Sequence, residues 1–217
     1  MSASSGAAFT WHNVRQILTS RMLLGVYLGQ YCINALTYFF ATWFPIYLVQ
    51  QRHMSIMNAG FTAVAPALCG FVGGVLGGVI SDRILKRTGS VTLARKAPLF
   101  AGMALATIII ACNYVDQQWL IILFMSLAFF GKGVASLGWA VVSDTTPKEL
   151  AGVTGSIFNS FGNAAGIVTP IVIGYLVAAT GSFDSALVFI GAHCIVTILA
   201  YLLIVGRIER LVLEPAS

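Results

Sequence analysis

Apolar residues of this chain are gathered into six long runs that are separated by short polar segments. A helix needs about 17–25 mostly apolar residues to cross the hydrocarbon core of a bilayer. Each run is long enough, so the pattern predicts six membrane-spanning helices, which we number span 1 to span 6 in chain order. Their approximate bounds are 22–49, 57–80, 97–115, 119–142, 153–179 and 185–206.

The composition supports an all-α integral membrane fold. Of the 217 residues, 58% are hydrophobic and 9% are charged, whereas soluble domains carry roughly 25% charged residues. The net charge of +5 does not indicate a nucleic-acid partner, because the basic residues lie mostly in short segments between apolar runs; membrane lipid is the expected surrounding. The four cysteines lie inside the runs without metal-ligand spacing. We therefore expect no disulfide, no metal and no cofactor.

Basic residues are distributed unequally between the two ends of the predicted helices. Ten of them fall on one side, whereas Arg52 stands alone on the other. Because Lys and Arg accumulate in cytoplasmic segments, the pattern predicts a multi-pass protein with both termini in the cytoplasm. The ten residues are Arg15, Arg21, Arg83, Lys86, Arg87, Arg95, Lys96, Lys148, Arg207 and Arg210.

Small residues recur every four positions in spans 2 and 5, which places them on single helix faces. Such residues let membrane helices approach closely, and a proline can kink its helix. Two interpretations remain open: tight static packing, or helices that slide and bend during a conformational cycle. The series are Gly70, Gly74 and Gly78 in span 2, and Gly162, Gly166, Pro170 and Gly174 in span 5.

Span 4 carries a lysine, Lys132, inside its apolar run. A charge at bilayer depth costs at least about 2.5–3.5 kcal/mol, so this side chain needs a polar surrounding. Lys132, Ser136 and Trp139 have the i, i+4, i+7 spacing of one helix face. We predict that they form a stripe facing the bundle interior or a water-filled cavity.

Spans 1 and 5 carry amide stripes of their own. Gln30 and Asn34 in span 1 are four residues apart, as are Asn159 and Asn163 in span 5. Amide, hydroxyl and indole groups could bind a polyhydroxylated ligand, and an ammonium group could bind a carboxylate. The alternative is that each polar side chain only hydrogen-bonds a neighbouring helix.

Span 2 ends in the stretch "GVISDRILKR", in which a glycine, an aspartate and a basic cluster follow one another. Asp82 lies at a predicted helix C-terminus, where a carboxylate is electrostatically unfavourable. We therefore expect it to have a partner, either a neighbouring helix N-terminus or an arginine. The residues of this predicted gating loop are Gly78, Asp82, Arg83, Lys86 and Arg87.

This stretch resembles the gating loop of the major facilitator superfamily, although Leu85 stands where a second glycine is frequent. Further stretches resemble the anion:cation symporter family, in particular bacterial sugar-diacid permeases of the glucarate/galactarate type. The resemblance implies that this chain corresponds to helices seven to twelve of a twelve-helix fold. It also implies a division into three parts: a central cytoplasmic linker and surface helix (1–20), a six-helix bundle (21–207) and a cytoplasmic tail (208–217). These stretches are "GQYCINALTYFFATWFPIYL", "CGFVGGVLGGVISD", "LGWAVVSDTTPKELAGVTGSIFNSFGN" and "TPIVIGY".

The resemblance implies secondary active, proton-coupled symport of sugar-acid anions such as glucarate and galactarate across the cell inner membrane. In similar symporters the C-terminal half supplies a glutamine, a serine and tryptophan three apart, and an asparagine to a midplane site. The positions that match here are Gln30, Ser136, Trp139 and Asn159. Lys132 is not implied by the resemblance; we add it to the site because of its spacing from Ser136 and Trp139. We hypothesise that it pairs with the second carboxylate of a diacid.

The seven acidic residues all lie outside the predicted spans or at their ends. In the resembling family the coupling carboxylates and the main carboxylate-binding arginine belong to the N-terminal half. We therefore expect a half-transporter, which works on small organic anions and protons together with an N-terminal six-helix half or a second copy.

Two other classes of protein remain open. A serine in the fourth span and a histidine in the sixth, Ser136 and His193, suggest an intramembrane serine protease. Val134 and Leu137 occupy the glycine positions of that signature, so we do not expect an enzyme. The other alternative is a channel or a non-catalytic assembly subunit.

Overall fold

The computed structural model describes residues 10–213, and every regular element in that range is helical. A surface helix, Trp11–Thr19, begins where the Thr10 side chain accepts a hydrogen bond from the backbone N–H of Asn13. Six helices that are long and apolar enough to cross a membrane follow, which confirms the prediction of six spans. Spans 1 to 6 are Arg21–Gln50, Ile56–Thr88, Val91–Tyr114, Gln118–Thr145, Lys148–Thr180 and Asp184–Ile204.

Basic residues cluster at one end of the bundle, which we call the basic end. Spans 2 to 5 extend further at this end than predicted. Span 2 continues to Thr88 and ends at Gly89, whose φ of 66° is the left-handed conformation that glycine favours at a helix end. Span 3 begins only two residues later, where the side chain of Ser90 accepts a hydrogen bond from Leu93 N–H.

The predicted gating loop is therefore wrong as a loop, because its residues all lie within span 2. A helix of 33 residues is about 50 Å long at about 1.5 Å per residue, whereas the hydrocarbon core is about 30 Å thick. Hydropathy detects only the part of the helix that lies in lipid. Asp82, Arg83, Lys86 and Arg87 lie beyond the predicted end of span 2, whereas Gly78 lies inside span 2 as predicted; the gating role of these residues stays a prediction.

Span 4 is interrupted where the prediction required a continuous helix. One helical segment ends at Ala135 and the next begins at Gly138, with Ser136 in a non-helical conformation at φ −75° and ψ 53°. The i, i+4, i+7 spacing therefore does not describe one face, and Trp139 belongs to a different segment from Lys132. π-Helical turns also occur in span 1 at Phe39–Trp43 and in span 6 at Ala200–Ile204.

The spans pack in pairs, with span 2 along span 4 and span 1 along span 5. Glycines set the closest approaches: a Cβ on Gly73 or Gly77 would overlap the backbone of Phe130 or Val134 in span 4. Gly131 and Gly102 meet in the same way between spans 4 and 3. These contacts match the close packing that small residues allow in membranes.

Two helices keep broad faces free of contact within the described residues. In their most apolar windows only 17% of span 2 and 22% of span 5 is buried, compared with 50% of span 1. Large apolar side chains are exposed along both, for example Phe61 and Phe71 in span 2, and Ile167 and Tyr175 in span 5.

After span 6 the chain turns at Gly206, which has a φ of 59°, and crosses the basic end of the bundle. The N–H of Ile208 donates to the hydroxyl of Thr92 in span 3 at 2.9 Å. The N–H of Leu211 donates to the carbonyl of Thr145 at the end of span 4 at 2.7 Å. We call residues 207–213 the strap; the predicted division of the chain into linker, bundle and tail stays a prediction.

Candidate functional site

Polar side chains of span 1 lie in a groove that the glycines of span 5 leave open. A Cβ on Gly162 would lie 2.7 Å from Asn34 Nδ2 and 2.9 Å from Gln30 Cγ. One turn further on, a Cβ on Gly166 would lie 2.6 Å from the ring of Tyr38. These glycines therefore make room for polar side chains, whereas their predicted role as hinges, with Pro170, stays a prediction.

Hydrogen bonds join these residues in two groups along the groove. Gln30 Nε2 donates to Asn34 Oδ1 at 3.3 Å, and the hydroxyl of Tyr38 donates to Asn163 Oδ1 at 2.7 Å. Asn163 Nδ2 donates in turn to the carbonyl of Asn159 at 2.9 Å, one helical turn away. We call these five residues the amide groove; Asn163 belongs to the predicted stripe of span 5, and Tyr38 extends that of span 1 by one turn.

The amide groove meets the interrupted part of span 4. The side-chain oxygen of Gln30 lies 2.8 Å from the position that a Cβ on Gly138 would occupy. Beside Gly138, the indole of Trp139 packs edge-on against Phe158 of span 5 at 5.0 Å between centroids. Trp139 is 56% exposed, so its ring also presents a free face. The structure thus gathers Gln30 and Trp139 at the junction of spans 1, 4 and 5.

Lys132 and Ser136 occupy a separate pocket, on the seam between spans 2 and 4. The pocket has a volume of about 420 Å³, and Gly70 and Gly74 of span 2 line its other side. The Ser136 hydroxyl donates to the carbonyl of Lys132 at 2.8 Å, and the Lys132 ammonium lies 5.1 Å from the ring centroid of Phe129. The predicted site residues therefore form two neighbouring groups that meet at the break in span 4.

A buried arginine, Arg95, supplies the partner expected for Asp82 at the basic end. Its guanidinium lies 3.5 Å from Asp82 of span 2, and its Nε donates to Asp144 of span 4 at 2.7 Å. It also donates to the hydroxyl of Ser81 at 2.6 Å. Of the two partners expected for Asp82, the arginine is the one found.

Sequence reasoning assigned Arg95 to a loop and so missed this role. The available signal was the Gly89–Ser90 pair, which combines a helix C-terminal glycine with an N-cap serine. The other cations of the predicted gating motif, Arg83, Lys86 and Arg87, are exposed and do not take part in the Arg95 cluster.

Ser136 and His193 do not form a nucleophile and base pair. The hydroxyl of Ser136 is engaged by the Lys132 carbonyl, and Nδ1 of His193 lies 2.8 Å from the carbonyl of Phe189 on its own helix. The imidazole packs among Phe189 and Tyr31, as expected for a packing histidine. Within residues 10–213, no group of three potential metal-binding side chains is found.

The chain is similar in sequence to proteins that are named as sugar-acid transporters. No family model matches it. A probable galactarate/D-glucarate transporter of Escherichia coli (strain K12) is 59% identical over 207 residues, which cover 95% of this chain and 46% of the relative. One of Bacillus subtilis (strain 168) is 63% identical over 204 residues, covering 94% and 45%. A D-galactonate transporter of Escherichia coli O6:H1 is 40% identical over 195 residues, covering 90% and 45%.

The chain is therefore a multi-pass membrane protein that is homologous, over nearly all of its length, to galactarate/D-glucarate transporters. This confirms the resemblance to sugar-diacid permeases. The chain spans about half the length of the curated relatives it matches. These relatives are named as transporters and not as enzymes, which speaks against the intramembrane protease.

Proposed function

We propose that the chain is one half of a secondary transporter for sugar-acid anions such as galactarate and D-glucarate. The observation that carries this proposal is the identity of 59–63% to transporters named for these two substrates. The amide groove supports it, because neutral donors and acceptors on spans 1 and 5 suit a ligand that carries many hydroxyl groups.

In the proposed site, each residue has a role that follows from its chemistry. Gln30, Asn34 and Asn159 bind sugar hydroxyls through their amides. Trp139 covers the carbon chain with its exposed ring face, and the hydroxyl oxygen of Ser136, whose hydrogen is donated to the Lys132 carbonyl, accepts a hydrogen bond from the ligand where span 4 is interrupted. Because membrane transporters form such sites near the bilayer midplane between two repeats, this half-site is completed by a second set of helices.

The proposed partner is an N-terminal six-helix half, which covers the exposed faces of spans 2 and 5; a second copy of the chain is the alternative. Asp82 and Asp144 are engaged by Arg95, and Asp116 is engaged by Arg52. Proton coupling therefore depends on carboxylates of the partner. The proposed location is the cell inner membrane, with the basic end of the bundle in the cytoplasm.

Uptake of labelled D-glucarate tests the proposal in cells that lack their own sugar-diacid carriers. The chain is expressed alone, and together with the N-terminal half of a galactarate/D-glucarate transporter. We expect saturable uptake only with the partner, and its loss when a protonophore removes the proton gradient. Uptake by the chain alone would show a functional homodimer, whereas no uptake by correctly inserted protein in either case would refute the proposed function.

A further inference from the structure

The pocket that contains Lys132 has features that the amide groove does not explain. We propose that this pocket, on the seam between spans 2 and 4, is a subsite for the second carboxylate of a dicarboxylic sugar acid. This inference rests on the proposed function and deepens it, because it assigns the preference for diacids over monoacids to one side chain.

Lys132 lacks a protein counter-ion among the described residues. The ion pairs of that part of the chain involve Arg52 and Arg95, and the ammonium of Lys132 has only the ring of Phe129 beside it. A cation–π contact contributes about 0.5–2 kcal/mol, which is less than the cost of holding a charge at bilayer depth. An anion that enters the pocket would supply the missing partner.

The walls of the pocket leave room for such an anion. Gly70, Gly74 and Gly133 contribute no side chains to the volume of about 420 Å³. Gly74 is open in particular, because a Cβ placed there would meet its nearest atom at 4.0 Å. Phe71 and Val75 form the apolar rim, so Lys132 and Ser136 are the polar groups available to a ligand.

The two groups flank the same interruption of span 4. Lys132 lies in the last turn of the first helical segment, and Gly138, which the side-chain oxygen of Gln30 approaches, begins the second. In a six-carbon diacid, five carbon–carbon bonds of about 1.5 Å separate the carboxyl carbons by roughly 6 Å when the chain is extended. We propose that one such ligand contacts Lys132 with its second carboxylate while its hydroxyl groups lie in the amide groove.

This arrangement selects against monoacids by leaving a charge without a partner. If the first carboxylate binds the N-terminal half, as the family resemblance implies, a monoacid of the same length places a neutral hydroxyl opposite Lys132 and gains no ion pair there. A binding site discriminates effectively between two ligands when the wrong ligand leaves one of its buried polar groups unpaired.

The test is the ratio between the inhibition constant of D-gluconate and the KM of D-glucarate, measured by uptake with the N-terminal half present. We expect the unmodified protein to prefer the diacid at least tenfold, and Lys132→Met to lower this ratio to near one by raising the KM of D-glucarate. Lys132→Arg keeps the charge and should retain most of the preference. Lys148→Met removes an exposed lysine outside the site and should leave the ratio unchanged.

A second variant tests the same subsite without altering the charge. Gly74→Val fills the pocket and should also lower the ratio, whereas Gly60→Val, at another open position of span 2, should not. Equal loss of both acids in Lys132→Met, or an unmodified ratio near one, would overturn the subsite while leaving the proposed function intact. Uptake of neither acid by the unmodified protein would overturn the proposed function, and this inference with it.

Discussion

Two arginines, one at each end of the bundle, connect helices that are distant in sequence. At the basic end Arg95 binds Asp82 and Asp144, and so joins spans 2, 3 and 4. At the opposite end Arg52 donates to the hydroxyl of Tyr47 and to the carbonyl of Cys112, both at 2.9 Å. The planar guanidinium suits both positions, because it binds several acceptors at once without losing its charge.

Removal of the Arg95 side chain should destabilise the bundle more than removal of an exposed cation. The side chain is 9% exposed and Asp144 is 26% exposed, so Arg95→Met leaves a partly buried carboxylate unpaired. We expect a loss of about 3 kcal/mol in the free energy of unfolding, at the lower end of the range for a broken buried pair. The measurement is reversible unfolding in mixed micelles by circular dichroism.

The matched control for Arg95 is Arg83→Met, because Arg83 is exposed near the end of span 2. Exposed ion pairs contribute about 0–1 kcal/mol, so this variant should unfold like the unmodified protein. Equal stability of the two variants would show that the Arg95 cluster does not hold the three helices together.

At the scale of the helices, the glycines of span 2 lie on two neighbouring faces, and the sequence does not indicate which face packs against another helix of the bundle. Gly73 and Gly77 face span 4 so closely that a side chain would overlap its backbone. Gly74 and Gly78 have at most one atom of another residue near their missing Cβ, and it lies 4.0 Å from Gly74. One face of span 2 is therefore packed against span 4, and the neighbouring face is left for another contact.

Adjacent substitutions should separate these two faces. Gly77→Val places methyl groups against the backbone of Val134 in span 4, and overpacking of this kind costs about 1–3 kcal/mol or more. Gly78→Val enters open space and should change the free energy of unfolding by less than about 0.5 kcal/mol. Thermal unfolding in detergent compares the two, and similar melting temperatures would contradict the assigned packing.

The six spans could be predicted from the sequence because hydropathy records the lipid-facing length of each helix. It does not detect the basic ends, where Asp82 and Arg95 lie on helices that extend beyond the apolar runs, nor the break at Ser136, which lies inside an apolar run. Gln30 and Asn34 were predicted from spacing that holds within one unbroken helix. The sequence did not predict that the amide groove and the Lys132 pocket are separate. The spacing of Lys132 and Trp139 was interpreted for one continuous helix, whereas the two residues lie on either side of the break.

At the scale of the whole molecule, the exposed faces of spans 2 and 5 are the prominent apolar surfaces. Ile167 and Ile171 of span 5 are 68% and 65% exposed, one turn apart. Lipid could cover such residues, but the amide groove opens beside them, and a polar groove is costly to expose to hydrocarbon. A second half that covers spans 2 and 5 would enclose the groove as well.

A bulky substitution on this face should therefore weaken assembly without weakening the bundle. We expect Ile167→Trp to reduce the amount of tagged N-terminal half that copurifies with the chain at least threefold. Ile195→Trp, on span 6 where the side chain is 48% exposed, should have little effect. Unchanged copurification of Ile167→Trp would indicate that this face meets lipid instead of the partner.

The strap has a consequence for the order in which the protein is made. Residues 207–213 leave the ribosome after span 6, yet Ile208 and Leu211 bind Thr92 of span 3 and Thr145 of span 4. The hydrogen bonds from the strap to spans 3 and 4 can therefore form only after span 6 has been made. Spans 3 and 4 therefore depend first on their own contacts, such as those between Gly102 and Gly131, and gain these two hydrogen bonds last.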